Sequence, residues 1–236
     1  MLDAVLFDLD GTMLPMDTDY FVEVYFKYLF EDAYAWGYTD SALLEKGVRT
    51  GLKAMYKNDG SVTCSAAFWK AFSEIVHKDP TDDVKKFETF YATSFNKAKF
   101  VAKENPYVQE SLEVARKKAK YVILATNPIF PKVANDSRMA WIGVKESDFD
   151  MVTDFDSCFF CKPNPLYYKQ EILDKIGLDP EKCIMIGNDF DEDILATRKL
   201  GMPSYLVTDF MINRQNKEID CPHGTYAEMV DYLKNL

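Results

Sequence analysis

Residues 5–15 read VLFDLDGTMLP. The apolar run Ala4-Val5-Leu6-Phe7 leads straight into two aspartates, Asp8 and Asp10, one residue apart. Branched and aromatic, and bounded by Asp and Gly, the run predicts a short buried strand. A carboxylate at the end of such a strand is costly unless a positive charge meets it, and two close together repel. The stretch therefore predicts a strand end built around a cation. Residues two apart in an extended chain point the same way, so one position would address both carboxylates as the chain turns at Gly11.

Similar apolar runs recur at 121–125, 183–186 and 204–207, with a weaker one at 150–153. Helical stretches separate them. Residues 108–120 carry apolar side chains at helical spacing and end in a Lys cluster, which suits a helix C-terminus. Residues 163–176 stop at Gly177 and 191–200 at Gly201, each a C-terminal capping glycine. Strand and helix thus alternate from about residue 106, which predicts an α/β fold with a parallel sheet covered on both faces. Residues 16 to 100 read differently, as four helices near 19–36, 40–58, 64–78 and 82–99. Breaks fall at Gly37, Asn58-Asp59-Gly60 and Asp79-Pro80. The expected organisation is a sheet domain from residues 1–15 and 104–236, interrupted by an all-helical domain at 16–103 that acts as a lid hinged near 14–17 and 103–106. The first helix of the insert is crowded with aromatic residues, which either fill the insert's own core or face the site.

The chain has 236 residues and a net charge of -10, with a pI near 4.8. That balance excludes a nucleic-acid backbone as the ligand, which would need clustered Lys and Arg. A phosphorylated substrate would have to be drawn in by a local positive site. No apolar run approaches the ~20 residues of a membrane span. Met1-Leu2-Asp3 lacks a basic secretory start, so a cytoplasmic protein is expected. The five cysteines are expected to be reduced thiols. Cys158-x-x-Cys161 has no second pair, and with only His77 and His223 in the chain a structural zinc lacks ligands. Nothing in the sequence sets an oligomeric state.

Mg2+ is the cation the opening stretch calls for, because it prefers oxygen ligands and keeps waters. An Asp carboxylate can serve as a nucleophile when its electrophile is already polarised. A phosphoryl group clamped by Mg2+, a Lys and backbone N–H groups is such an electrophile. The second carboxylate can then protonate the leaving oxygen and later take a proton from water. Three further strand ends supply the missing parts. Thr126-Asn127 offer a hydroxyl and an amide to a phosphate. Lys162 precedes a proline-started helix. Gly187-Asn188-Asp189-Phe190-Asp191-Glu192-Asp193 ends a strand in a dense acidic cluster. Within it Asp191 and Glu192 read as solvated acids that complement the helix dipole. Lys162, at a loop end, reads as a residue whose truncation leaves the fold intact.

These motifs, DLDGT at 8–12, Thr126, Lys162-Pro163 and the acidic IGNDFDED, resemble those of the haloacid dehalogenase-like hydrolase superfamily. The resemblance spans residues 1–15 and about 106–210. It implies a Rossmann-like core with the first strand central and a helical cap inserted after the first motif. It further implies that Asp8 is the nucleophile that becomes an aspartyl-phosphate, and that Asp10 is the general acid/base and also offers its backbone carbonyl to Mg2+. Thr126 would bind phosphoryl oxygens with Asn127 beside it, and Lys162 would neutralise both the phosphate and Asp8. Asp189 would complete the metal site with Asp193, directly or through water, with Asn188 an alternative ligand. Many members carry Gly-Asp where this chain has Gly187-Asn188-Asp189. An acid at Asp10 fits hydrolysis of a small phosphorylated metabolite. The alternatives are a sugar phosphomutase, and a phosphate-binding regulatory protein without turnover.

Overall fold

The computed structural model describes residues 1–79 and 81–236, leaving aside the Asp82 side chain. Six parallel strands form one sheet: β1 (Leu2–Phe7), β2 (Ala119–Leu124), β3 (Met151–Val152), β4 (Cys183–Gly187), β5 (Ser204–Val207) and β6 (His223–Gly224). Their spatial order is β3-β2-β1-β4-β5-β6. The chain moves outward from β1 to β2 and β3, then returns to β1's other side with β4. The order therefore reverses at β1, and the crevice at the carboxyl ends of β1 and β4 is the switch point where open α/β sheets place their ligands.

Ala4, Val5, Leu6 and Phe7 are all fully buried. Their side chains alternate between two apolar layers, with Val5 and Phe7 in one and Ala4 and Leu6 in the other. That is what a strand covered on both faces requires. The strand seen in the sequence is thus the centre of the sheet.

Between β1 and β2 lie α1 (Thr18–Ala35), α2 (Ser41–Tyr56), α3 (Cys64–Val76) and α4 (Thr81–Ala92). Asp17, Asp40 and Thr63 cap the first three, each accepting a backbone N–H from the first turn. The predicted helix over 82–99 breaks at Thr93, whose non-helical backbone leads into a 3-10 segment, Ser94–Val101. Ser94 there donates to Asp32 of α1 at 3.0 Å, so a side-chain contact competes with helix continuation. The break predicted at Asp79-Pro80 includes Pro80, which lies outside the described residues. Aromatic side chains bind these helices together: Phe21 meets Phe95 edge-on, and Tyr25 stacks on Tyr91.

The alternation runs on either side of β2, with α5 (Val108–Lys118) preceding it and α6 (Lys132–Trp141) following it. The helix over 165–176 ends at Gly177 in the left-handed conformation, as predicted. It contains a wider π-type stretch at Lys169–Leu173, and the helix over 190–198 opens with another at Phe190–Leu195. Wide turns of this kind recur at functional sites. The sequence reading named neither α6 nor the two-residue β6.

Candidate active site

Parallel registration carries the distant motifs to one edge. Phe7 pairs with Leu124 on one side and with Ile186 on the other. The residues that follow each strand, Asp8, Thr126 and Asn188, therefore emerge together. The Asp8 N–H donates to the Ile186 carbonyl at 2.9 Å, fixing the first of them. Beyond it the chain turns at Gly11, whose φ of +87° is the left-handed region. A Cβ there would also overlap the Asn188 amide, so both conformation and space require glycine. The turn is tied from outside by the Tyr226 hydroxyl, which donates to the Gly11 carbonyl at 2.9 Å. Thr12 Oγ1 donates to Asn188 Oδ1 at 3.0 Å and lies 3.4 Å from Asp8 Oδ2.

Lys162 is completely buried and donates to Asp8 Oδ1 at 2.8 Å and to Asp193 Oδ1 at 2.7 Å. Burial alone would lower its pKa, but Asp193 and Asp8 outweigh that and hold the ammonium charged. The rings of Tyr167 and Tyr168 flank it, each centred 5.9 Å from Nζ. Tyr168 also donates to the Glu192 carbonyl, and lies 3.2 Å from Asp193 Oδ1. Asp193 Oδ2 accepts the Asp189 N–H at 3.0 Å. Both Asp193 oxygens are thus engaged within the chain. The carboxylate lies where a side chain on Gly187 would stand, so that glycine makes room for it.

Asp10 lies past the strand end at Phe7, just before the turn at Gly11, and, beside burial, its charge helps to raise the pKa of Asp8. The Asp10 Oδ2 atom meets the guanidinium of Arg138, which is fully buried, also paired with Asn135, and centred 4.5 Å from the Phe130 ring. Asp10 Oδ1 is buried with no hydrogen-bond partner. Each aspartate therefore has its own cation from the chain. The sequence reading missed Arg138, yet it carried a signal: Ala134, Asn135, Arg138 and Met139 share the buried face of α6, and two of the four are polar.

Thr126 is buried, and its carbonyl accepts the hydroxyls of Thr153 and Tyr167. Asn127 donates to Glu192 Oε2 at 2.9 Å, while its own Oδ1 is buried without a partner. Glu192 is therefore not the solvated acid the sequence suggested. Burial, with Asp189 beside it, pushes its pKa up to about 8. Asp191 pairs with Lys217 at the partly exposed rim. Asp189 Oδ1 accepts the Asp191 and Glu192 N–H groups, capping the helix over 190–198. Burial raises its pKa too, and pushes that of Asp8 up to about 7 despite Lys162.

Four carboxylates, Asp8, Asp189, Glu192 and Asp193, thus surround one ammonium, an oxygen-rich site short of positive charge. Among the described residues no three His, Cys, Asp or Glu side chains form a metal cage. Cys158 and Cys161 are both buried free thiols. Cys161 lies not against Cys158 but against Cys64 of α3, with the sulfurs 3.5 Å apart. Burial pushes the Cys158 thiol up to about 12, so it stays protonated.

A model of the haloacid dehalogenase-like hydrolase family matches residues 2–201. The chain belongs to that family. A curated glyceraldehyde 3-phosphate phosphatase of Methanothermobacter thermautotrophicus is 32% identical over 88 residues, which is 37% of this chain and 38% of that protein. The match thus spans little more than a third of the relative's length. Among solved structures, a HAD phosphatase of Thermococcus onnurineus is 18% identical with a TM-score of 0.61, covering 98% of both chains. A 2-haloacid dehalogenase of Pseudomonas syringae pv. tomato, also 18% identical, has a TM-score of 0.62 over 100% of this chain and 99% of its own. Phosphatase and dehalogenase fit equally well, so this likeness shows the HAD-like fold alone, and the chemistry rests on the side chains.

Proposed function

We propose that this HAD-like hydrolase is a phosphomonoester hydrolase that passes the phosphoryl group of a small phosphorylated metabolite to Asp8 and then to water. The observation that carries the reading is that the two aspartates have different partners, Lys162 on Asp8 and Arg138 on Asp10, which suits them to different roles. Lys162 holds Asp8 by Oδ1 and leaves Oδ2 as the attacking oxygen. The Asp8 Oδ2–phosphorus bond forms as the phosphorus–ester oxygen bond breaks, and the electron pair departs on that oxygen. Asp10, whose unpartnered Oδ1 is the oxygen free to carry a proton, gives it to the leaving alcohol. Asp10 then takes a proton from water, whose oxygen attacks phosphorus and returns the Asp8 carboxylate with inorganic phosphate. Thr126 and Asn127 bind phosphoryl oxygens, and Lys162 balances their charge.

The oxygen-only donor set and its surplus of negative charge fit Mg2+. That ion takes one or two carboxylates and keeps several waters, so a cage of three side chains is not needed. Asp8, the Asp10 carbonyl and Asp189 would hold it. Asn188 Oδ1, linked to Asp8 through Thr12, is the other available donor. Asp193, with both oxygens engaged, serves Lys162 and the loop. When bound, the ion would polarise the phosphoryl oxygens and offset the charge of the carboxylates.

Residues 1–15 and 104–236 form the core in this reading, with 16–103 as a helical cap. The two crossings between them run side by side, the Lys103 N–H donating to the Pro15 carbonyl at 2.8 Å. No helix of the described residues is long and apolar enough to cross a membrane.

Release of p-nitrophenol from its phosphate in the presence of Mg2+ tests the reading. The wild type turns over and Asp8→Asn does not; release that survives this substitution would remove Asp8 from the chemistry.

A further inference from the structure

We propose that the cavity between the helical insertion and the sheet edge is a leaving-group pocket for uncharged aromatic or bulky apolar alcohols, one to two rings in size. This rests on the phosphatase reading above and names its substrate class.

The cavity measures about 280 Å3 and reaches Asp10. All four insertion helices contribute to its wall, with Tyr25 and Phe26 from α1, Leu52 from α2, Phe68 from α3 and Phe87 from α4. Phe130 closes it from the sheet side. Protein cores leave few voids larger than a water molecule. This one is roughly twice the ~150 Å3 hole that takes up benzene and otherwise stays dry. The aromatic residues of the insert therefore do more than fill its core: they leave a space at the carboxylate that protonates the leaving oxygen.

The polar groups around the space argue against sugars and bisphosphates. The buried hydroxyls of Tyr25 and Tyr91 bond each other at 3.0 Å. Sugar hydroxyls would enter this wall largely unpaired, which is costly. Among the lining residues the only cation is Arg49. It is half exposed, pairs with Glu45 at 2.7 Å and lies 5.0 Å from the Phe26 ring centre. The other charged groups on the wall, Asp10, Glu88 and Asp156, are acids. A second phosphoryl group would meet net negative charge. The single phosphoryl group belongs at Lys162, and the apolar body of the ester extends past Asp10 into the cavity.

The test compares alkyl esters, so that leaving-group reactivity does not decide the outcome. With Mg2+ present, kcat/KM for 2-phenylethyl phosphate is expected to exceed that for ribose 5-phosphate by at least about 100-fold, the discrimination a few buried methylene-sized groups give. Equal or better turnover of ribose 5-phosphate or fructose 1,6-bisphosphate overturns the proposal. Leu52→Gln, which places an amide in the wall, is expected to lower kcat/KM for phenylethyl phosphate at least about tenfold more than for acetyl phosphate. Equal losses on both also overturn it. Should none of these esters, nor acetyl phosphate, be hydrolysed, the phosphatase reading fails and calorimetry with 2-phenylethanol judges the pocket separately. Saturable binding to the wild type upholds it, and its absence overturns it.

Discussion

Lys162 and Asp193 face each other across the carboxyl edge of the sheet, Nζ 2.7 Å from Oδ1, with their side chains 0% and 1% exposed. Asp8 completes the triad at 2.8 Å. One ammonium thus bridges two carboxylates that share its desolvated space, and it cannot be removed without cost.

Lys162→Ala is therefore expected to lose stability as well as activity, by about 3–5 kcal/mol, the usual penalty for stranding buried partners of an ion pair. The loop-end position suggested an intact fold, but the full burial of the side chain overrides position. Urea unfolding measures the loss. The double variant Lys162→Ala/Asp193→Asn should recover part of the stability and none of the activity. A single variant with the wild-type midpoint would show that the triad contributes nothing to folding.

Asp10→Asn separates the two halves of the reaction by leaving group. An alkyl ester needs a proton on its departing oxygen, so its hydrolysis should fall by about 10²–10⁴. p-Nitrophenolate leaves without one, so the first step survives and the second stalls for lack of a base. The signature is a burst of p-nitrophenol approaching one equivalent of enzyme, seen by rapid mixing. Arg138→Gln, which frees the Asp10 side chain from its buried partner, should lower kcat for alkyl esters more than it raises KM. Equal losses of the first-step rate, read by rapid mixing, on alkyl and p-nitrophenyl esters would take the acid role from Asp10.

Much of this was legible in the residue order, because backbone periodicity and strand ends are local. Phe7 running into Asp8 marked a buried strand, and Gly177 and Gly201 marked helix ends from their own backbone preference. Lys162 and Asp8, 154 positions apart, could be paired only through the resemblance carried by their motifs. Partners set by tertiary contact were not legible. Arg138 lies on a helix without a motif, and Tyr168 reaches Asp193 only because the helices over 165–176 and 190–198 pack together. Glu192 looked solvated because helix-dipole reasoning does not see Asn127 arriving from β2.

Metal removal should abolish turnover, and added Mg2+ should restore it and raise the melting temperature. A ligand that binds only the native state stabilises it by RT ln(1 + [L]/Kd), about 2.7 kcal/mol at a hundredfold excess over Kd. The size of that shift in variants identifies the third donor. Loss of the shift in Asp189→Asn but not in Asn188→Ala would assign Asp189, and the reverse pattern would assign Asn188. A shift equal to wild type in both, and in Asp8→Asn, would leave the carboxylates without a magnesium site.

Gly11→Ala tests the turn that follows the two aspartates. With φ at +87°, any side chain strains the backbone, and the new methyl would enter the Asn188 amide. Asn188 has little room to yield, since Thr12 holds its Oδ1 at 3.0 Å and its Nδ2 donates to the Phe210 carbonyl at 2.7 Å. Strain and overpacking together are expected to cost about 2–4 kcal/mol, read from the urea midpoint. Whatever folds should show reduced kcat, because relief of the clash shifts either Asp10 or Asn188. Asn188→Gly in the same chain removes the obstructing amide. It should return the part of the stability due to overlap and leave the part due to φ. A Gly11→Ala protein as stable and active as the wild type would mean that the turn after Asp8 is not fixed as described.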